Sequence, residues 1–215
     1  MLSKSDLLDI IYPPHCMACG TLLSEKKEFC KSCAETLHRV ELKEVYNINN
    51  RYNAATGAFY YNGSGKIMLL RYKYSGKRYL AGVFAKYMAQ AVEKQYSGLK
   101  FDVITYVPMT KLEKAKRHFN QSELLAKQLS KILDVECKSL LKKTKNTPKQ
   151  HKLDIETRTE NLKNCFAANK KESIKGKMVL LVDDVKTTGT TLNECSKVLR
   201  RAGAKAICCV TATFA

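Results

Sequence analysis

Hydrophobic positions follow two alternating patterns from about residue 50 onward. Short apolar runs predict buried strands over Ala55–Tyr61, Phe101–Val107, Lys177–Val182 and Ala206–Phe214. Between these runs, apolar residues at helical spacing predict helices over Gly65–Tyr72, Tyr79–Glu93, Ser122–Leu133 and Thr191–Arg201. Strands and helices that alternate in this order predict an α/β fold with a doubly wound parallel sheet and right-handed crossovers.

Weaker patterns predict four further segments. Ser5–Ile11 has the composition of a short helix that ends before Pro13, and Ala34–His38 is a candidate helix. Leu140 and Leu141 indicate a short strand. Residues 142–151 contain almost no apolar side chains, so we expect a mobile loop there.

Cysteine spacing points to a metal site near the start of the chain. Four of the nine cysteines form two C-x2-C pairs separated by ten residues, Cys16 with Cys19 and Cys30 with Cys33. Two such turns can hold one Zn2+ in a tetrahedron of thiolates at about 2.3 Å each. Two disulfides or a redox pair are the alternatives; a reducing cytosol disfavours the first, and two matched pairs disfavour the second. His15 and His38 flank the cluster but would exceed four ligands, so neither is included.

The zinc motif divides the chain into two predicted units. Residues 1–45 would form an N-terminal helix and a small zinc-binding module, and residues 46–215 the α/β domain. The other five cysteines are interpreted as small buried apolar residues.

Charge is distributed unevenly between these units. The chain has 38 Lys and Arg against 20 Asp and Glu, a net charge of +18. Its first fifty residues are almost neutral, whereas the segment from Val45 to Val92 contains no acidic residue. This favours a polyanionic partner, although a lysine-rich surface that only maintains solubility is the alternative. No apolar run approaches the ~20 residues that span a bilayer and no signal peptide is evident, so we expect a cytoplasmic protein that is not membrane-embedded.

The segment Val179–Thr191 carries the strongest chemical signal. Its apolar strand ends at Asp183 and Asp184, and a threonine-rich loop then opens a helix. In an open α/β sheet, ligands bind at the carboxyl ends of the strands. Helix amides could cradle a phosphate together with four hydroxyls, those of Thr187, Thr188, Thr190 and Thr191, while Gly189 permits close approach of the backbone.

The two carboxylates indicate what else the ligand carries. Asp183 and Asp184 would repel a phosphate, so they should contact sugar hydroxyls or Mg2+. A ribose 5-phosphate meets both demands. The alternative is a strand end with solvated aspartates before an ordinary capped helix.

This motif resembles the ribose-phosphate motif of type I phosphoribosyltransferases, which use 5-phosphoribosyl 1-pyrophosphate and Mg2+. With its four-cysteine module, the chain is similar to the ComF family of competence-associated proteins over nearly its whole length. The other similar segments are Leu70–Gly76, Phe119–Ser122 with Leu124–Ala126, and Thr147–Gln150 with Leu153, Arg158, Asn161 and Phe166. Two positions depart from the family pattern: His118 stands where Gly is usual, and Lys149 interrupts the usual Pro-Gln.

The resemblance implies roles for individual residues. Asp183 and Asp184 would contact the ribose hydroxyls, and the 5-phosphate contacts would be Thr187, Thr188, Gly189, Thr190 and Thr191. The loop Val107–Lys111 would hold pyrophosphate through backbone amides. Candidates for neutralising the pyrophosphate are Lys73, Arg117 and Lys145, for each of which a plain surface cation is the alternative. Thr187 replaces an Asp that handles the purine base in hypoxanthine-guanine phosphoribosyltransferases, which makes purine salvage a weaker hypothesis.

Two functional hypotheses follow. In the first, the protein binds phosphoribosyl pyrophosphate and, if catalytic, displaces pyrophosphate from the anomeric carbon to an acceptor that the sequence does not identify. In the second, it is a non-catalytic single-stranded DNA-binding protein with a regulatory pocket, because Lys66–Tyr79 alternates five cations with three tyrosines. The alternative for that stretch is that Tyr72 and Tyr79 pack inward. Both hypotheses fit a role in DNA uptake, in which the zinc module could dock on the uptake machinery.

Overall fold

A computed structural model describes residues 13–41, the backbone of 44–45, and residues 51–145, 164–170 and 172–215. The helix predicted over Ser5–Ile11 lies outside the described residues. So do residues 147–150 of the family resemblance, together with Leu153, Arg158 and Asn161.

A five-stranded sheet forms the centre of the fold, in the order β1-β2-β7-β6-β3. Its strands are β1 (Glu44–Val45), β2 (Ala54–Tyr60), β3 (Val103–Tyr106), β6 (Met178–Lys186) and β7 (Ala206–Phe214). Only β1 is antiparallel to its neighbour, and the other strands are parallel. The four predicted strands of the sheet are therefore confirmed, but β6 continues past its predicted end at Val182.

The described ranges contain the helices α1 (Lys31–Glu35), α2 (Gly63–Tyr74), α3 (Leu80–Gln95), α4 (Lys111–Arg117), α5 (Gln121–Leu133) and α6 (Thr190–Arg201). Of these, α2, α3 and α5 pack on one face of the sheet and α6 packs on the other. Alternate residues of β6 point to opposite faces: Leu180 belongs to the cluster under α3 and α5, whereas Leu181 belongs to the cluster under α6. The doubly wound α/β class is confirmed. None of the helices in the described ranges is long and apolar enough to cross a membrane.

A two-stranded ribbon outside the central sheet differs from the sequence prediction. Lys142 and Lys143, expected in a loop, belong to β4 (Leu141–Lys143), which pairs antiparallel with β5 (Phe166–Ala168). This two-stranded ribbon packs on α6 through Leu141 and Phe166. Each strand of the ribbon buries only one side chain. Its other positions can therefore be polar, so the sequence shows no apolar run there.

Helix positions near the cysteines and after β3 also differ. The helix expected over Ala34–His38 is instead α1, which begins directly after Cys30 and ends at Glu35. Helix α4 was not predicted, because its sequence is polar and it buries no residue completely. It forms through a capping box, in which Thr110 accepts from the Glu113 amide and the Glu113 carboxylate accepts from the Thr110 amide.

The outer edge of β3 is occupied by a short extended segment. The amide of Ile104 donates to the carbonyl of Glu136 (2.9 Å), and the amide of Lys138 donates to the carbonyl of Ile104 (2.9 Å). These bonds satisfy the outward amide and carbonyl of Ile104 in the last strand on this side of the sheet.

Candidate functional site

An acid pair lies where β6 extends beyond its neighbour. The last residue of β3, Tyr106, pairs with Val182, so Asp183 and Asp184 follow directly beyond the end of that strand. Both residues are buried, with 8% and 7% of their surface exposed. Buried carboxylates need compensating donors or cations, and the structure provides them from two helices.

Each carboxylate has a specific partner. The Ser122 hydroxyl donates to Oδ1 of Asp183 (2.7 Å), which also accepts the Asp184 amide (2.8 Å). The ammonium of Lys73 lies 2.8 Å from Oδ1 of Asp184, and both side chains are almost buried, at 12% and 10% exposed. The predicted cation Lys73 is therefore paired with one of the predicted acids.

Burial dominates the acid–base behaviour of Asp183. Together with the neighbouring negative charge of Asp184, it raises the pKa of Asp183 to about 7, although the hydrogen bonds from Ser122 and from the Asp184 amide act in the opposite direction. A group that donates hydrogen bonds to this carboxylate or brings positive charge to it would favour its ionised form.

The segment Phe119–Ser122 holds the serine in this position. Asn120 is the N-cap of α5: its Oδ1 accepts from the amides of Ser122 (3.0 Å) and Glu123 (3.3 Å), and its Nδ2 donates to the Val107 carbonyl (3.1 Å). The cap thus fixes the start of α5 relative to the loop after β3, which brings Ser122 to the acid pair.

The threonine loop opens α6 beside these acids. Gly189 is the N-cap of α6 at φ +77° and supplies no side-chain cap, and the Thr190 amide has only a long contact of 3.5 Å to Oγ1 of Thr188. The helix has no acidic residue in its first turn and carries Arg200 and Arg201 in its last turn. Its positive N-terminal end is therefore available to an anion.

Gly189 is required for both conformation and space. An added Cβ would meet the Tyr52 hydroxyl at 3.2 Å, in a backbone region that other residues adopt at a cost. Of the threonines, Thr187 and Thr191 line the cavity over the acids, whereas Thr188 and Thr190 hydrogen-bond to each other (Oγ1 to Oγ1 2.9 Å).

The cavity over the acid pair has a volume of about 320 Å³, within the size range of small-ligand sites. Its lining includes three cationic residues, Lys73, Arg117 and Lys143, and three acidic residues, Glu113, Asp183 and Asp184. Lys145, the third predicted cation, is exposed and does not belong to this lining. The structure therefore brings together two of the three predicted cations with the acids.

Arg117 has unused donor capacity in the cavity. One of its terminal nitrogens donates to Oε1 of Gln121 (3.3 Å), and its guanidinium lies 5.9 Å from the centre of the Tyr74 ring. Among the described residues, its buried Nε has no hydrogen-bond partner. An anionic group of a ligand could supply that partner.

The loop after β3 offers fewer free amides than the sequence suggests. The Val107 amide donates to the Val182 carbonyl, Pro108 has no N–H, and the Thr110 amide donates to Glu113. Within Val107–Lys111, only the amides of Met109 and Lys111 can therefore remain for a ligand.

Sequence reasoning missed three residues that shape this cavity. Ser122 was recognised only as part of a family segment, and Glu113 and Lys143 were not recognised. Lys143 donates to Oε1 of Glu113 (2.6 Å), which joins the β4–β5 ribbon to α4. The capping signature Thr110-x-x-Glu113 could have revealed α4, but no sequence signal indicates the pairing with Lys143.

The four predicted cysteine ligands converge in the N-terminal module. Their sulfur atoms all lie within 4.8 Å of one another, and Cys19 and Cys30 are 3.9 Å apart. Thiolates on a tetrahedral Zn2+ at about 2.3 Å would be about 3.8 Å apart, so the set fits a structural zinc ion.

Local hydrogen bonds differ between these thiols. Hydrogen bonds between Cys19 and the hydroxyl and amide of Thr21 lower the pKa of Cys19 to about 6, whereas burial raises the pKa of Cys33 to about 12. His15 and His38 do not belong to the cluster, as expected.

The stretch Lys66–Tyr79, which alternates cations with tyrosines, contains both buried and exposed side chains. Tyr72 is buried and donates to the Gln121 carbonyl (2.8 Å), and Arg71 and Lys73 are engaged inside the protein. Tyr74 and Tyr79 are exposed, at 61% and 53%. Inward packing is therefore found for Tyr72 and not for Tyr79.

A parallel sheet with this acid pair, followed by a threonine loop at a helix N-terminus, defines a phosphoribosyltransferase-like fold, here preceded by a zinc ribbon module. Residues 120–214 match the phosphoribosyl transferase domain family, and residues 7–44 match the double zinc ribbon domain family. The chain belongs to the ComF family of competence proteins. It is 32% identical to Competence protein F of Haemophilus influenzae over 199 residues, 90% of this chain and 82% of that protein.

Other relatives show similar identities. Competence protein ComFC of Streptococcus pneumoniae is 32% identical over 89% of this chain and 76% of its own length. The DNA utilization protein YhgH of Escherichia coli K12 is 34% identical over 63% of this chain and 60% of its own length. Among solved structures, glutamine phosphoribosylpyrophosphate amidotransferase of B. subtilis is 19% identical with a TM-score of 0.44, over 66% of this chain and 30% of that chain.

Proposed function

We propose that the chain binds 5-phosphoribosyl 1-pyrophosphate with Mg2+ in the cavity over Asp183 and Asp184 and acts in DNA uptake. The observation that carries this proposal is the placement of two buried carboxylates beside the uncapped N-terminus of α6. Ribose hydroxyls can donate to the carboxylates, while a 5-phosphate can accept from the amides and hydroxyls of the loop Thr187–Thr191.

The cations of the cavity would balance the negative charge of the pyrophosphate. Lys73, Arg117 and Lys143 line it, and the buried Nε of Arg117 offers a donor toward the pyrophosphate. Mg2+ is coordinated by carboxylate oxygens, so Asp183 and Asp184 would be the residues that hold it. When bound, the ion would offset negative charge on the pyrophosphate.

A transfer reaction at this site would rest on positioning and charge. The nucleophile of an acceptor would form a bond to the anomeric carbon, while the bond from that carbon to pyrophosphate breaks and its electron pair leaves with the pyrophosphate. The carboxylates would orient the ribose, and the cavity cations would stabilise the leaving charge. We therefore propose a glycosyl transfer, with the acceptor to be found by experiment.

Calorimetry tests the binding proposal. The variant with both Asp183→Asn and Asp184→Asn should lose Mg2+-dependent binding of phosphoribosyl pyrophosphate, because the amides no longer offer charged acceptors. Asp134→Asn is the matched control, since Asp134 is exposed at a helix C-cap with φ 51° that Asn also adopts. Unchanged affinity in the double variant would refute the proposal.

The reaction is tested separately. Protein with bound Zn2+ would be incubated with phosphoribosyl pyrophosphate, Mg2+ and candidate acceptors while pyrophosphate release is followed. Release that depends on one acceptor supports turnover. Binding without release from any acceptor supports a sensing role of the same pocket.

The role in DNA uptake is supported by the relatives. Two of them are named competence proteins and a third is named a DNA utilization protein. A deletion of the gene should reduce transformation by added DNA, and only genes that preserve the acid pair should restore it. Full restoration by the double Asn variant would separate the pocket from DNA uptake.

We also propose that the module carries one structural Zn2+ on Cys16, Cys19, Cys30 and Cys33. The convergence of the four sulfur atoms and the match to a zinc ribbon family support this assignment. Metal analysis of the purified chain should give one zinc ion per molecule.

A second candidate function is the binding of single-stranded DNA. It is favoured by the exposure of Tyr74 and Tyr79 with Lys77 and Arg78 between them, since exposed rings can stack on bases and cations can contact phosphates. The combined Tyr74→Ala and Tyr79→Ala variant should bind a labelled oligonucleotide more weakly, whereas Leu99→Ala, another exposed apolar position, should not. An affinity that does not fall as salt rises would argue against phosphate contacts.

A further inference from the structure

Three consecutive residues of α2 contact three separate parts of the protein. Arg71 contacts the zinc module, the Tyr72 hydroxyl donates to the Gln121 carbonyl at the start of α5 (2.8 Å), and Lys73 pairs with Asp184 (2.8 Å). Successive residues of a helix point about 100° apart, so one turn of α2 is held from three sides. A displacement of this turn on one side must alter the contacts on the others.

Arg71 hydrogen-bonds to the backbone of the first cysteine turn, between Cys16 and Cys19. One terminal nitrogen donates to three backbone carbonyls, at 2.8 Å to Ala18, 2.9 Å to Met17 and 3.4 Å to Cys16. A Cβ added at Gly20 would lie 2.7 Å from its other terminal nitrogen, so the fit is close. Three carbonyls converge on one nitrogen only while the turn keeps its shape, and a bound metal ion is what holds such a turn.

Lys73 depends on the position of the same helix. Its ion pair with Asp184 is largely removed from water, and such pairs lose their stabilisation when the geometry changes. Lys73 also lines the cavity, so its ammonium contributes positive charge where an anionic ligand would lie. The helix turn therefore connects the cysteine cluster to the electrostatics of the cavity.

We propose that Arg71 is a positioning residue through which zinc occupancy of the four-cysteine cluster sets the affinity of the cavity, by fixing the helix turn from which Lys73 reaches Asp184. The proposal rests on the proposed function, because phosphoribosyl pyrophosphate is the ligand whose affinity is affected. Loss of zinc would release the carbonyls from Arg71, let this turn of α2 move, and weaken binding without any change in the residues of the cavity.

The test is a double-mutant cycle on the full chain with bound Zn2+. Affinity for phosphoribosyl pyrophosphate with Mg2+ would be measured by calorimetry for wild type, Arg71→Met, Lys73→Met and the combined variant. We expect about tenfold weaker binding for Arg71→Met, at least as large a loss for Lys73→Met, and no further loss when Arg71→Met is added to Lys73→Met. Lys66→Met, an exposed position of the same helix, should bind as wild type.

Zinc content and far-UV circular dichroism of each variant would show that the chain is folded and loaded. Wild-type affinity in Arg71→Met would overturn the proposal. So would an equal loss from Arg71→Met in the presence and absence of Lys73, because that pattern indicates a general loss of stability.

A second measurement needs no ligand. Removal of zinc with a chelator should accelerate hydrogen exchange in α2 and at the start of α5 by a larger factor than in α6, and an acceleration in α2 no larger than that in α6 would overturn the coupling. If wild-type protein does not bind phosphoribosyl pyrophosphate, the proposed function fails. The exchange experiment then still decides whether the zinc module holds α2.

Discussion

The Ser122 hydroxyl donates a 2.7 Å hydrogen bond to Oδ1 of Asp183, although 61 residues separate the two in sequence. The serine lies in the first turn of α5 and the acid in β6, so this contact joins two elements at the cavity. It also lowers the pKa of a carboxyl whose burial acts in the opposite direction.

Ser122→Ala should therefore affect both stability and binding. Loss of a hydrogen bond to a buried carboxylate costs about 1–3 kcal/mol and further raises the pKa of Asp183. We expect weaker binding of phosphoribosyl pyrophosphate at pH 7, measured by calorimetry. Ser130→Ala, which removes a bond to the Val135 carbonyl at the other end of α5, should reduce stability without weakening binding.

Gly189→Ala should destabilise the threonine loop. The positive φ of Gly189 costs other residues about 1–2 kcal/mol, and the new Cβ would press on the Tyr52 hydroxyl. Urea unfolding should show the loss. Gly82→Ala is the opposite case, because Gly82 lies within α3 with nothing within 4 Å of an added Cβ, so a gain of about 0.5–1 kcal/mol is expected. Equal effects at the two positions would contradict this interpretation.

Removal of zinc should reduce the stability of the whole fold. Cys16 and Cys33 belong to the same buried cluster as Leu69 and Leu80 of the helices beneath, so unfolding of the module would uncover the core. The variant Cys16→Ser with Cys19→Ser should contain almost no zinc by metal analysis and melt at a lower temperature. Cys137→Ser lies outside the cluster and should keep one zinc ion per chain.

Glu113 should contribute stability that depends on pH. Burial raises its pKa, but the hydrogen bond from Lys143, the amide of Thr110 and the charge of Lys143 together outweigh this, so the pKa of Glu113 is lowered in the folded protein. Its contribution is therefore present above the unfolded pKa of about 4.5 and is lost as pH falls through the lower folded value.

Glu113→Gln should accordingly lower stability at pH 7 by about 0.5–1 kcal/mol, since the pair is partly exposed to solvent. The difference from wild type should shrink as pH falls below about 4.5. Denaturant unfolding at several pH values measures that difference, and zinc release at acid pH affects both proteins alike. Glu136→Gln, an exposed acid, should cause little change at any pH.

Sequence patterns predicted the strands and helices that pack against the hydrophobic core. The runs that became β6 and β7 are apolar because both faces of those strands are covered, and α5 has apolar residues at helical spacing because one face lies on the sheet. Helix α4 and the β4–β5 ribbon bury little surface, so their sequences lack an apolar period. The capping box holds α4, and antiparallel pairing of β4 with β5 holds the ribbon.

The site was predictable where its residues are contiguous. Asp183 and Asp184 with the threonine loop form one segment, which a single pattern reveals. The contacts of Ser122, Lys73 and Lys143 join distant segments, and such pairings follow from the packing of helices that local sequence does not specify. The domain boundary at residue 45 stays a prediction, and the structure shows that Val45 already pairs with β2.

The segment Glu136–Lys138 along β3 has a consequence for self-association. Because Ile104 already exchanges backbone bonds with this segment, a strand from a second molecule could pair with β3 at that residue only by displacing the segment. The segment therefore opposes continuation of the sheet from copy to copy through β3, the step by which apolar strands stack into fibres.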